Sequence, residues 1–262
     1  MLLLTLVVMA LRLPLQALIT MLPGGDDPAI YYAGLILQEA ILWGLPALLM
    51  RPWRSDALPQ QERCLGGCVA ALLLGAVAQC ALIPVTRWWS QVIGAELTGM
   101  TLPENSVQWL LASLALCLTP ALCEEAFFRG SVLTGFTLSA QKWAALLLTT
   151  LMFALMHGNL TGLPAHLTVS LLATLMMLRY GKLRVPVLFH LGYNMASLGT
   201  AYLPLDLRTS APLGLLLLAS ALWIAGGVRW HSRKCMTWQD RMLCLLTLLG
   251  IGAAYLPELL KL

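Results

Sequence analysis

The chain reads as a succession of long apolar stretches separated by short polar turns. A bilayer-crossing helix needs about 20 mostly apolar residues. On that measure the candidate segments are 2–22, 29–50, 64–86, 106–128, 142–160, 163–179, 185–203, 211–228 and 242–257. The last is short, and the fourth has a pattern that can run on to about residue 138. Trp53, Trp88, Trp89, Trp109, Trp143, Trp230 and Trp238 flank these stretches, where amphipathic rings settle at a membrane interface. Met1 to Leu11 is apolar without a basic lead, so the first stretch is read as an uncleaved helix rather than a signal peptide. The pattern predicts an all-α, polytopic transmembrane bundle of about eight or nine helices. It divides into N-terminal helices (1–105), a central core (106–203) and C-terminal helices (204–262), integrated into one bundle without internal repeats.

Composition sharpens this picture. Of 262 residues, 59% are hydrophobic and 11% charged, against about 45–50% and ~25% in soluble domains. That excludes a water-soluble globular enzyme, a disordered tail and a nucleic-acid binder with a charged face. The net charge of +4 is small, but its distribution is not even. Arg51, Arg54, Arg63, Arg129, Lys142, Arg179, Lys182, Arg184, Arg229, Arg233, Lys234 and Arg241 fall in alternate loops, and only Arg87, Arg208 and Lys261 in the others. By the positive-inside rule the N-terminus and the basic loops are cytoplasmic, and the acidic turn Gly24–Pro28 faces out. The seven cysteines show neither a disulfide framework nor a zinc spacing.

Ionisable groups deep in a bilayer are costly, ~2.5–3.5 kcal/mol on insertion scales, so each one calls for a partner or a function. Arg12, Glu39, Glu124, Glu125, His157, His166 and His190 are of this kind, and Gln38 and Asn194 are uncharged polar groups in the same apolar stretches. Glu125 and Arg129 are i,i+4 neighbours and can pair. Glu124 lies about 100° away around the helix and stays available. Phe153 and His157 share a face, as do His190 and Asn194. A carboxylate taken out of water can act as a general base near neutral pH. A histidine and an asparagine one turn apart can donate jointly to a developing oxyanion. The set holds what attack of water on an amide requires. Glu39, His166 and Arg12 are read as packing or inter-helix hydrogen-bonding groups.

The three segments together resemble the motif set of the CAAX protease and bacteriocin-processing family (Abi, or type II CAAX prenyl proteases). Its pattern E-E-x-x-x-R, F-x-x-x-H, H-x-x-x-N reads here as Glu124-Glu125…Arg129, Phe153…His157 and His190…Asn194. The resemblance covers about 106–200. It implies an intramembrane endopeptidase in which Glu124 and His157 activate water, His190 and Asn194 hold the oxyanion, and Glu125 with Arg129 shapes the site. The implied partners are a membrane-associated protein or peptide substrate and the bilayer, with no nucleic acid, and the implied setting is a bacterial cytoplasmic membrane. Metal-free chemistry is preferred. The alternative is zinc on Glu124, His157 and His190 with an open position, although the H-E-x-x-H spacing is absent. A proton-coupled transporter using the same groups, an inactive immunity protein and a cysteine protease built on Cys123 are the other readings.

Geometry adds three expectations. His157 lies roughly 22 Å along its helix from Lys142, and His190 only roughly 9 Å from Arg184. For both to reach Glu124, the hairpin around Gly130–Lys142 must project beyond the membrane, or the His190 helix must begin within it. The Gly158–Pro164 turn then sits below the outer surface and needs protein or water to satisfy its backbone. Pro120 is expected to kink or break the fourth helix just ahead of the glutamates.

Overall fold

The computed structural model describes residues 27–50, 65–95, 103–139, 142–201 and 207–228, with isolated helical positions at 7, 11, 14 and 15. Every regular element among them is a helix. These are α1 (Pro28–Leu49), α2 (Leu65–Val92), α3 (106–139), α4 (Lys142–Met156), α5 (Leu163–Tyr180), α6 (Arg184–Thr200) and α7 (Leu207–Gly226). Each coincides with a predicted segment. The predicted spans 242–257 and, apart from the four isolated positions, 2–22 lie outside the described residues, as does Arg12. α1, α2, α3 and α5 are long and apolar enough to cross a membrane, and α4 and α7 contain shorter apolar helices. The protein is an all-α membrane bundle. Leu48, Leu73, Leu110, Leu147 and Leu215 are more than half exposed on its outside, as a lipid-facing surface requires.

The helix ends follow local chemistry. Asp27 caps α1 by accepting a hydrogen bond from the Ala29 N–H at 2.8 Å, with Pro28 in the first turn. Asn105 caps α3 through the Gln108 N–H at 3.0 Å, and the Gln108 side chain accepts in return from the Glu104 N–H at 2.8 Å, a variant of the capping box. α5 ends at Gly181, whose φ of +64° suits glycine, with its N–H on the Met177 carbonyl at 2.8 Å. α2 runs six residues past its predicted end, through the Arg87-Trp88-Trp89 cluster. There the Trp89 indole N–H donates to the Leu160 carbonyl at 2.9 Å, so this ring ties helix to loop as well as facing an interface.

Pro120 does not break α3. The helix widens to π winding over Ser113–Leu118, returns to α over Thr119–Phe127, and widens again over Phe128–Leu133. α1 repeats the device, with π winding over Ala40–Gly44 just before Pro46. A proline removes one N–H and crowds the carbonyl four residues back. A local i→i+5 turn absorbs both, and such turns gather at functional sites. The Ser106–Thr137 part of α3 is 32 residues, about 48 Å long, well beyond a ~30 Å hydrocarbon core. α4 has 15 residues, about 22 Å. An overlong α3 followed by a short α4 has the lengths that a hairpin projecting beyond the membrane would need.

α6 packs more extensively on α2 than on any other described helix. It meets α2 backbone to backbone at two glycines. A Cβ built on Gly75 would lie 2.0 Å from the Phe189 carbonyl oxygen, and one on Gly192 2.0 Å from that of Leu72. Small residues of this kind let membrane helices approach closely. Trp43, Phe127, Phe128 and Phe153 form a chain of ring contacts with centroids 5.1 to 5.4 Å apart, linking α1, α3 and α4.

Gly75→Ala and Gly192→Ala are each expected to lower stability by about 1–3 kcal/mol through forced helix separation. Gly199→Ala, whose Cβ meets nothing within 4 Å, is expected to be neutral. Thermal unfolding of the three variants in detergent reads the difference.

Candidate active site

Consecutive glutamates on α3 point to different places. Glu125 is fully buried, and its Oε1 accepts from Arg129 Nη1 at 2.9 Å. The same oxygen lies 3.0 Å from His190 Nδ1 on α6. Arg129 is also fully buried. Its Nη2 donates to the Ser170 carbonyl at 3.0 Å and the Ser170 hydroxyl at 2.9 Å on α5, and its guanidinium lies 4.4 Å over the Phe153 ring of α4. One arginine therefore joins α3, α4 and α5 directly, and α6 through Glu125. Ser170 carries no signal in the sequence that would have marked it as the arginine's partner.

Glu124 faces the other way, into a cavity of about 300 Å³. Its Oε2 lies 3.8 Å from His157 Nε2. That is too long for a hydrogen bond and is a separation that one water can bridge. His157 sits in the turn just past α4. Its Nδ1 is 2.9 Å from the Phe153 carbonyl, an acceptor, so Nδ1 carries the hydrogen and the Nε2 lone pair is turned towards Glu124. His190 and Asn194, one turn apart on α6, line the same cavity. A carboxylate at His190 Nδ1 requires hydrogen there too, so Nε2 is a donor only when the ring carries its second proton. Phe153 lies between the halves, its centroid 4.7 Å from the His157 ring and 5.8 Å from the His190 ring.

The structure thus brings Glu124, His157, His190 and Asn194 around one cavity and sets Glu125 and Arg129 behind it. Glu39 of α1 and His166 of α5, read from sequence as packing groups, line the cavity as well. His166 stacks on His157 with centroids 4.0 Å apart and planes inclined by 26°. Gly162 makes this possible, since a Cβ there would fall 2.8 Å from His166 Cε1. The intervening turn is satisfied by protein, as expected. Asn159 Oδ1 accepts from the Gly162 N–H at 3.0 Å and the Thr161 hydroxyl at 2.7 Å, Trp89 holds the Leu160 carbonyl, and Gly158 takes a φ of +62°.

Among the described residues, no three His, Cys, Asp or Glu side chains gather as a metal-binding set. Both imidazole Nδ1 atoms are engaged by protein acceptors, which leaves Nε2 as the remaining nitrogen of each ring. Cys123 is not part of the cavity wall. It faces Gly44 of α1, where a Cβ would lie 3.1 Å from its Sγ.

A bundle of apolar helices thus buries an ion-paired arginine and gathers Glu, His and Asn around a cavity. Residues 106–196 match the family of type II CAAX prenyl endopeptidases, Rce1-like. This central segment, which carries all three motifs, is similar to that family. The chain is also similar to the UPF0177 protein YbdI of Lactococcus lactis subsp. lactis (strain IL1403), with 26% identity over 132 residues, half of this chain and 71% of the relative. No solved structure matches it.

Removing Arg129 alone strands a buried carboxylate. Arg129→Met is expected to cost about 3–5 kcal/mol, and adding Glu125→Gln, which removes the second charge, to restore much of it. Unfolding midpoints of the single and double variants decide this.

Proposed function

We propose that this protein is an intramembrane endopeptidase that hydrolyses a peptide bond in a membrane-associated protein or peptide. The observation that carries the reading is the Glu124 Oε2 to His157 Nε2 separation of 3.8 Å at the wall of a cavity that His190 and Asn194 also line. A water held between those atoms gives one proton to Glu124 as its oxygen attacks the scissile carbonyl carbon. The carbonyl oxygen becomes the oxyanion and takes hydrogen bonds from the Asn194 carboxamide and from His190 Nε2 when that ring is doubly protonated. Collapse of the intermediate breaks the C–N bond, and the proton on Glu124 passes to the leaving amine. Glu125 and Arg129 are positioning residues, because they set the plane and tautomer of His190 without reaching the cavity. The reading needs no step through a metal. By the positive-inside rule the basic residues Lys142 and Arg184 support a site open towards the cytoplasm, and the bacterial relative supports a bacterial cytoplasmic membrane. No feature of the cavity singles out a prenyl group.

Glu124→Gln is expected to lower kcat about 10²–10⁴-fold and Asn194→Leu about 10²–10³-fold, with unfolding midpoints near wild type. Activity is expected to survive chelators and Cys123→Ala. Substrates trapped by Glu124→Gln in cells and then presented to purified, reconstituted wild type supply the assay. Cleavage by the Glu124→Gln protein at the wild-type rate would refute the assignment.

The His166 ring stacks on that of His157. His166→Phe, which keeps a flat ring, is expected to retain most activity. His166→Ala is expected to lower kcat about tenfold, the cost of a loosened reacting group, with little change in KM. Equal loss in both variants would show that stacking is not its role.

A further inference from the structure

α6 turns more than its two motif residues towards the cavity. His190, Tyr193, Asn194 and Ser197 all line it, and at about 100° per residue they fall within a ~100° arc of one helix face. Tyr193 sits at the edge of that arc nearest α2. A Cβ built on Gly75 would fall 2.7 Å from the Tyr193 backbone nitrogen, so the helix is set directly on its neighbour where it carries the phenol. The side chain packs against the main apolar core, yet the residue is only half-buried. Its hydroxyl makes no hydrogen bond among the described residues. A phenol enclosed by apolar groups usually finds a partner for its O–H, and a molecule bound in the cavity can supply one.

The reaction has a matching need. An oxyanion is best held by donors already in place before the charge develops. His190 Nδ1 faces the Glu125 carboxylate at 3.0 Å, so its Nε2 donates only when the ring carries a second proton. Asn194 donates without that condition. So does a phenol, which keeps its hydrogen throughout the neutral range. Tyr193 adjoins Asn194 and lies one turn from His190, on the helix whose backbone is most closely fixed to α2.

Resting on the endopeptidase reading above, we propose that Tyr193 is a further catalytic residue, whose phenol O–H donates to the scissile carbonyl oxygen as that oxygen becomes the oxyanion. It acts beside Asn194. The phenol stays neutral and transfers no proton; the hydrogen bond strengthens as negative charge builds on its acceptor. The contact therefore favours the tetrahedral state over the bound, uncleaved amide.

The test uses full-length protein in proteoliposomes, a fluorogenic peptide spanning the cleaved bond of a trapped substrate, and its phosphinic analogue, in which a phosphinate replaces the scissile amide. Tyr193→Phe, which removes one oxygen atom, is expected to lower kcat about 10²–10³-fold, with KM and unfolding midpoint near wild type. The phosphinic analogue is expected to bind this variant more weakly by a similar factor. The uncleaved peptide is expected to bind Glu124→Gln and Glu124→Gln/Tyr193→Phe alike. An unchanged kcat, a loss confined to KM, or equal weakening of both ligands overturns the proposal. Should Tyr193→Phe not fold, 3-fluorotyrosine placed at that position alone keeps the hydroxyl, and its fluorine resonance is expected to shift when the phosphinic analogue binds. A resonance that does not move overturns the proposal. Cleavage by wild type with an unaffected Tyr193→Phe removes the role of Tyr193 and leaves the endopeptidase reading standing. If wild type cleaves no trapped peptide, that reading falls and the oxyanion role falls with it.

Discussion

A guanidinium with no solvent exposure at the centre of the bundle is the constraint on which the site depends. A buried charge is tolerated only when paired and hydrogen-bonded, and Arg129 draws its partners from three helices. Glu125 answers from its own helix, Ser170 from α5 and the face of Phe153 from α4. Glu125 in turn reaches His190 on α6. Each helix that presents a cavity group is thus tied to one electrostatic knot, except α1, which is held by packing at Gly44 and Trp43. The division of labour between adjacent glutamates follows. The carboxylate that holds the knot is withdrawn from the cavity, and the other faces it.

The helices meet this demand through departures from regular geometry. π winding on both sides of Thr119–Phe127 reorients the segment that carries the glutamates while the helix stays continuous. At the end of α4, Gly158 and the Asn159 turn let the chain leave the helix so that His157 hangs in the cavity with one nitrogen satisfied by Phe153. His166 then covers its outer face. Backbone polar groups in this irregular stretch find partners in Asn159 and Trp89, as non-helical chain at membrane depth must.

Much of this was legible in the sequence. Apolar length marked every described helix, because a bilayer imposes a single scale on each span. The i,i+4 spacing of Glu125 and Arg129 led to their contact, and the 100° step separated Glu124 from them. Other features were hidden for physical reasons. Glu39 and His166 are single polar residues on apolar faces, and nothing local tells a packed imidazole from one stacked on a second imidazole across a turn. Ser170 and the Gly75–Gly192 contact depend on which helices become neighbours, which periodicity does not encode. Pro120 was visible and was read as a kink or break, whereas the form the departure takes, π winding on either side of Thr119–Phe127, is not written in the residue types. Within a long helix held on several sides, wider winding costs less than interruption.

The contact between α2 and α6 has a mechanical corollary. Two helices that touch through their backbones, with no layer of side chains between them, have nothing that can slide or rotate to open a gap. The wall bearing His190 and Asn194 is therefore the fixed jaw of the chamber. On the endopeptidase reading, any yielding that admits a polypeptide falls to the opposing parts, α1 with its π winding and the turn after α4 with its glycine at positive φ.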